Sequence, residues 1–430
     1  MWEMIKLKIR EQSIKYAKDR RTKTSRREEE IEKAINVLQE LIESSNKGDR
    51  EKEEASRDLE GKKTELEKII EYRTKGAILR AKCRWHNEGE RNTKYFLNLE
   101  KRHFKNCVIS QLKIGENEFV KSDKEILHQC ENFYRDLYKS RISEQQSEPS
   151  ILNFFEDTNI LNADEKESCE GLLTNAECLQ ALQSMEPEKT PGSDGIPVEF
   201  YKVFWNDISE HLVTSINHAY QKEQFSVTQR RGIIKLIPKK DTEPYLIKNW
   251  RPITLLNCDY KIAAKALANR LKKVLPKLVN SDQTGFMKGR FIGENIRLID
   301  GVINFAEAEN IPGLLLFLDF EKAFDTVEWV FIKKTFQQFN FGPSMIKWIN
   351  ICYNNIESCV LNNGWSTDFF KLERGVRQGC PLSPYLFVLG VEILAEKTRK
   401  NETIKGIIVS DNEIKVSQNA WSNPCRGAMA

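Results

Sequence analysis

No stretch of about twenty apolar residues occurs, so nothing in the sequence reads as a helix spanning a bilayer, and no secretory leader opens the chain. Zinc chemistry has no footing either. The ten cysteines are scattered, at positions such as Cys83, Cys169, Cys258 and Cys352, and form no CxxC pairs. The five histidines do not stand at ligand spacing from them. The cysteines read as reduced thiols of an intracellular protein, in cytoplasm, nucleus or both. An excess of one charge is also missing: 67 Lys and Arg against 63 Asp and Glu leave a net charge of +4. That excludes a general polycation, so any nucleic-acid surface has to come from local clustering. No internal repeat is visible, and no Asp or Glu follows Glu413.

What is present supports a substantial core. Hydrophobic residues make up 40 % of the chain and include 22 Phe, and 430 residues suggest two to three domains. Residues 1–80 are highly charged and poor in Gly and Pro. Ile31, Ala34, Ile35, Leu38 and Leu41 recur at helical spacing, Ser44 to Asp49 carry turn chemistry, and Leu59, Leu66, Ile69, Ile70 and Tyr72 resume a helical face. The pattern predicts two long antiparallel helices. Two roles stand open for them: a coiled-coil-like spacer with solvated charged faces, or a nucleic-acid-binding arm using Lys18, Arg20, Arg21, Lys23, Arg26 and Arg27.

Residues 80–105 change character. Basic residues alternate with aromatics, among them Arg84, Trp85, Arg91, Lys94, Tyr95 and Phe96. Cationic groups can neutralise phosphates while rings stack on bases. An amphipathic helix with its aromatics in a core is the other reading. A short hairpin is predicted over Cys107–Val120, then a helix through Phe133 and Tyr138, then a polar linker from Ser143 to Ser150. From Leu172 onward helices alternate with short apolar strands, as in an α/β or α+β enzyme.

Several segments of residues 151–418 could carry chemistry. Pro191 to Gly195 form a tight turn before a helix. Ile233 to Ile237 reads as a strand ending in Lys239 and Lys240, and Ile253 to Leu256 as a second strand behind Trp250-Arg251-Pro252. Two cations on paired strands could clamp a triphosphate, because Arg offers a fork of donors and Lys a point charge. In DQTGFMKGRFIGENIRLI, Lys288 and Arg290 accompany Gly285 and Gly289, which suits template contact or a plain loop–helix junction. The apolar run Leu314–Leu318 predicts a buried strand that delivers Asp319 to its end. A carboxylate there costs several kcal/mol without a partner, and a metal ion is a natural one. Asp325 reads as structural, paired with Lys322 or capping a helix. Gln378 and Gly379 precede a new apolar helix, and IKGIIVSDNEIKVSQ predicts a hairpin turning at Ser410–Asn412.

FLDFEKAFDTV and RQGCPLSPYLF, about fifty residues apart, resemble the palm of a reverse transcriptase of the LINE type (non-LTR retrotransposons). GERNTKYFLNLEK, TPGSDGIPVEFYK, the NWRPITLLN strand and DQTGFMKGR stand in family order. The resemblance implies an α+β fold: the fingers and palm of a right-hand polymerase, incomplete, preceded by a long antiparallel helical extension. It implies a helical linker over 1–80, a basic and aromatic connector over 81–150, the truncated fingers and palm over 151–418, and an unrelated tail over 419–430. The implied activity is RNA-directed DNA synthesis by a two-metal mechanism, with Mg2+ as cofactor and an RNA template, a DNA primer and dNTP as partners, and no membrane.

By position, Asp319 is the implied catalytic residue and metal ligand, with the Phe320 carbonyl as a second contact. Arg251 and Lys239 would meet the incoming nucleotide. Phe324 would discriminate the sugar, and Gln378 and Gly379 would lie under the nascent base pair. Arg84, Trp85, Arg91, Lys94, Lys288 and Arg290 would contact nucleic acid. The family carries an aromatic-x-Asp-Asp turn after such a hairpin, where this chain reads Asn419, Ala420, Trp421 and Ser422. Neither that turn nor a thumb is in the sequence, which implies a chain inactive by itself. A non-catalytic nucleic-acid-binding remnant is the alternative.

Overall fold

The computed structural model describes residues 1–44, 48–80, 108–116, 118–142, 160–409 and 412–415. The chain divides into two units: Met4–Val108, and Met1–Glu3 together with Ile109–Ala430.

The first unit takes α1 (Trp2–Glu43) from Met4 onward and α2 (Asp49–Arg80), which flank the polar stretch around Gly48. Cross-helix contacts run antiparallel. Arg27 pairs with Glu65 at 2.8 Å, Arg73 pairs with Glu28, and the Arg20 guanidinium lies 4.9 Å from the Tyr72 ring centroid. Exposed ion pairs of this kind contribute about 0–1 kcal/mol each. They set the pairing more than they stabilise it, while Ile31 and Ala55 supply buried apolar contact.

The second unit starts with a small hairpin, β1 (Leu112–Lys113) against β2 (Phe119–Val120), and continues into α3 (Asp123–Leu137). Helices α4 (Asn175–Gln183) and α5 (Trp205–Lys222) follow. Strand β3 (Arg231–Pro238) pairs antiparallel with β4 (Trp250–Leu256), and α6 (Cys258–Leu278) leaves β4 directly. Both strands alternate buried and half-exposed residues, as a two-sided sheet requires. Pro252, which has no N–H to donate, is tolerated because β4 forms the sheet edge.

Helix α6 is the central support. Ile262, Ala263, Ala264, Ala266, Leu267, Ala268 and Leu271 are buried along it, and the small side chains allow close packing. Its Arg270 is buried, pairs with Glu177 of α4 at 2.6 Å, and donates to the carbonyls of Cys169, Glu170, Gly171 and Leu172. Beyond it lie α7 (Ile292–Ala308), α8 (Trp329–Gln338) and α9 (Pro343–Tyr353). Strand β5 (Glu357–Asn362) joins β3 in parallel, and β6 (Trp365–Ser366) and β7 (Phe370–Lys371) pair antiparallel with its far edge. Helix α10 (Ser383–Lys400) and the hairpin of β8 (Ile407–Val409) with β9 (Asn412–Ile414) complete the described chain.

The expected strand at Leu314–Leu318 differs. Residues 311–320 have no helix or strand assignment, and Leu314 is 92 % and Leu318 71 % exposed. An all-apolar strand needs neighbours on both faces and at its edges. Among the described residues no strand pairs with this run, and a Cβ on Gly313, just before it, would stand 3.7 Å from Ile407 of β8. Seven described cysteines are buried and free of disulfides, and burial pushes several of their thiols, such as Cys130 and Cys258, up to about 12.

Candidate active site

The β3–β4 register sets the cations of the candidate site. Ile237 stands opposite Arg251, and the Lys239 amide donates to the Asn249 carbonyl at 2.8 Å. Lys239 therefore continues the half-exposed face that carries Arg251, since side chains two apart share a face. A third cation joins them from the segment after Asp319. Burial pushes the Lys322 ammonium below its usual range. Glu321 and Asp325 pull the other way, and the positive charges of Lys239 and Arg141 push it further down. Lys322 has a left-handed backbone at φ 50°, a conformation L residues rarely adopt, and its Nζ lies 4.5 Å from the Phe133 ring centroid.

The two motifs resembling a palm are joined by main-chain hydrogen bonds. Val376 donates to the Phe324 carbonyl and Gly375 to the Val327 carbonyl, both at 2.7 Å. Gly375 has φ +85°, and a Cβ there would stand 2.7 Å from the Asp325 carbonyl oxygen. The second loop is also fastened to β4, because the Thr254 amide donates to the Gln378 carbonyl at 2.7 Å. Gly379 has φ +110°, and a Cβ there would meet the Thr254 carbonyl at 2.6 Å. The close approach that Gly379 permits is thus to the sheet edge.

Asp325 is 2 % exposed, and the Lys322 charge acts on it, but its side-chain hydrogen bonds come from elsewhere. It accepts from the Tyr138 hydroxyl at 2.9 Å on one oxygen and from the Gln378 side-chain amide at 2.8 Å on the other. Burial pushes its carboxyl up to about 7, although both hydrogen bonds work against the rise. Phe324 is half-buried, stacked on Phe387 at 4.8 Å and edge-on to Phe286 at 6.5 Å.

Asp319 and Phe320 are both exposed, at the end of the unpaired apolar run. Among the described residues no three His, Cys, Asp or Glu side chains gather as a metal cage. A single accessible carboxylate fits Mg2+ that arrives with a triphosphate, since this ion usually takes one or two carboxylates and fills its shell with phosphate and water.

Lys288 is exposed. The Arg290 guanidinium faces inward and donates to the carbonyls of Val279, at 3.1 Å, of Gln283, at 2.9 Å, and of Asn280, closing the chain that leaves α6. Arg84, Trp85, Arg91 and Lys94 lie outside the described residues, as do Ser410, Asp411 and the tail from 416. Reading by motif gave Lys322 only as a partner of Asp325, and passed over Thr254 and Tyr138 as site residues. A lysine inside FLDFEKAFD was a usable signal for Lys322; nothing local marks Tyr138, which lies 187 positions from Asp325.

Residues 237–416 match the family described as reverse transcriptase (RNA-dependent DNA polymerase). The chain is 31 % identical over 363 residues to the transposon TX1 uncharacterized 149 kDa protein of Xenopus laevis, covering 84 % of this chain and 27 % of that protein. It is 29 % identical over 211 residues to the Pol polyprotein of the type-1 retrotransposable element R2 of Popillia japonica, covering 48 % of this chain and 28 % of that one. To the RNA-directed DNA polymerase from mobile element jockey of Drosophila funebris it is 22 % identical over 222 residues, covering 50 % and 24 %. The chain thus spans about a quarter of the length of these relatives. Among the described residues no helix is long and apolar enough to cross a membrane. With its motifs joined as above and its relatives drawn from TX1, R2 and jockey elements, this chain belongs to the reverse transcriptases of LINE-type, non-LTR retrotransposons.

Proposed function

We propose that this chain is the fingers and palm of an RNA-directed DNA polymerase, which binds an RNA template, a DNA primer and an incoming dNTP. The observation that carries the reading is the joining of three separate segments into one surface. Strand β4 with Arg251, the turn with Phe324 and the loop with Gln378 are hydrogen-bonded to one another through Thr254 and Val376. Lys239, Arg251 and Lys322 supply positive charge for a triphosphate, and the rings of Phe324 and Phe387 offer a flat apolar wall. Mg2+ bound with the nucleotide would take Asp319 as one ligand and supply charge stabilisation at the transferring phosphoryl group.

In this reading α1 and α2 form a helical linker, residues 81–150 a connector that touches nucleic acid, and residues 151–418 the polymerase part. Filter binding of a primed RNA template across a salt series tests it. Affinity should fall steeply with salt. Salt-independent affinity, or none at low salt, would sink the reading.

Primer extension against an Asp319→Ala control tests the synthetic part of this reading, and equal synthesis by the two would reject Asp319 as a metal ligand.

A further inference from the structure

Asp325 sits where an apolar side chain would cost less. A buried carboxylate is expensive unless charge and hydrogen bonds compensate it; the two side chains that donate to it, Tyr138 and Gln378, are both neutral, and the Lys322 charge offsets its burial only in part. Its rise to about 7 reflects that burial. What the carboxylate supplies is polarity. The Gln378 amide nitrogen donates to Asp325 at 2.8 Å, which turns its carbonyl oxygen away from the carboxyl group. An apolar residue at this place would leave the Gln378 amide free to rotate.

The carboxylate itself is held from the other side. Tyr138 donates to its second oxygen, and Tyr138 is anchored through its main chain. Its carbonyl accepts from the Glu373 amide at 2.9 Å, and the neighbouring Leu137 carbonyl accepts from Arg374 at 2.9 Å. The Tyr138 ring also stacks on Tyr134 at 6.1 Å. Three distant segments thus converge on one amide.

We propose that Asp325 and Tyr138 are positioning residues that fix the Gln378 side chain, with its nitrogen turned inward and its carbonyl oxygen presented to the incoming nucleotide. This rests on the reading of the Gln378 loop as part of a nucleotide site. Asp325→Asn offers one acceptor where the arrangement uses two. Tyr138→Phe removes one oxygen and keeps the packed ring, so it leaves the fold intact even if the Asp325 variant does not fold.

The test is titration of dATP, with Mg2+, into the full chain bound to a primed RNA template. The primer ends in a dideoxynucleotide, and the next template base is uracil. Wild type is expected to bind. Asp325→Asn, Tyr138→Phe and Gln378→Ala should each weaken dATP by about fivefold, the size of one hydrogen bond. Adding Gln378→Ala to either of the others should weaken it no further, since both act through that side chain. Template–primer affinity should stay unchanged in all of them, which a general structural defect would not allow. Variants that bind dATP like wild type, or whose losses add to that of Gln378→Ala, overturn the proposal. A wild-type chain that binds neither template–primer nor dATP overturns the underlying reading and the proposal with it, so the two failures look different.

Discussion

The indole N–H of Trp2 donates to a carboxylate oxygen of Asp259 at 2.9 Å, a contact within one unit across 257 positions of sequence. Trp2 is 4 % exposed and lies 6.4 Å from the Tyr201 ring. Beside it Glu3 accepts from the Ser226 hydroxyl at 2.7 Å and from the Thr228 hydroxyl at 2.8 Å. Trp2→Ala should lower stability by about 3–5 kcal/mol, the usual cost of emptying a tryptophan site. Trp2→Phe should cost less, because it loses the donor but keeps most of the volume. Urea denaturation of the full chain measures both, and a Trp2→Ala midpoint equal to that of wild type would show the contact to be idle.

Lys288 and Arg290 are two residues apart and should behave differently. Lys288 is exposed, so Lys288→Ala should reduce the slope of log affinity against log salt by about 0.7–0.9, one phosphate contact. Arg290 spends its donors on the carbonyls of Val279, Asn280 and Gln283. Arg290→Ala should leave that slope unchanged and lower the urea midpoint, since three carbonyls lose a charged donor. Equal effects of the two variants on the salt slope would contradict this division.

Phe324 is held by Phe387 and Phe286, so Phe324→Ala should cost stability of about 3 kcal/mol or more. If the ring also limits space at the sugar, the same variant should narrow the difference between dATP and ATP affinities on a primed template. A stability loss with an unchanged ratio would restrict Phe324 to packing.

Glu392 is 1 % exposed, and burial pushes its carboxyl up to about 7 even though Arg399 stands against it. The sign follows from proton binding. Between the ordinary carboxylate range, near 4.5, and about 7, the folded chain holds a proton that the unfolded chain has released. Stability from this group is therefore full at low pH, falls as pH rises through that window, and is flat above it. Asp325 acts in the same direction. Glu392→Gln should flatten the urea midpoint between pH 5 and 7. A wild-type midpoint that rises across this window would place the Glu392 carboxyl low instead.

Much of this was legible because it is local. The short apolar runs Ile233–Ile237 and Ile253–Leu256 mark strands, and the structure extends them to Arg231–Pro238 and Trp250–Leu256. The heptad-like spacing either side of Ser44–Asp49 corresponds to α1 and α2. The strings FLDFEKAFDTV and RQGCPLSP point to a reverse transcriptase because residue type and spacing are enough to recognise a motif.

What the sequence could not decide depended on partners far along the chain. Leu314–Leu318 has the composition of a buried strand, but a strand exists only where another offers its hydrogen bonds, and none of the described residues does. Gly379 is readable as a glycine that allows close approach; that the approach is to Thr254 is a fact of tertiary packing. Asp325 read as a cap or a partner of Lys322 because those are its neighbours in sequence. The Lys322 charge does act on it, but its side-chain hydrogen-bond partners, Tyr138 and Gln378, lie 187 and 53 positions away. By itself the sequence determined the family, the strand and helix periods, and which carboxylate ends the apolar run. Only the folded chain decided which oxygen meets which donor, because hydrogen bonds are made at about 3 Å and sequence separation does not enter that distance.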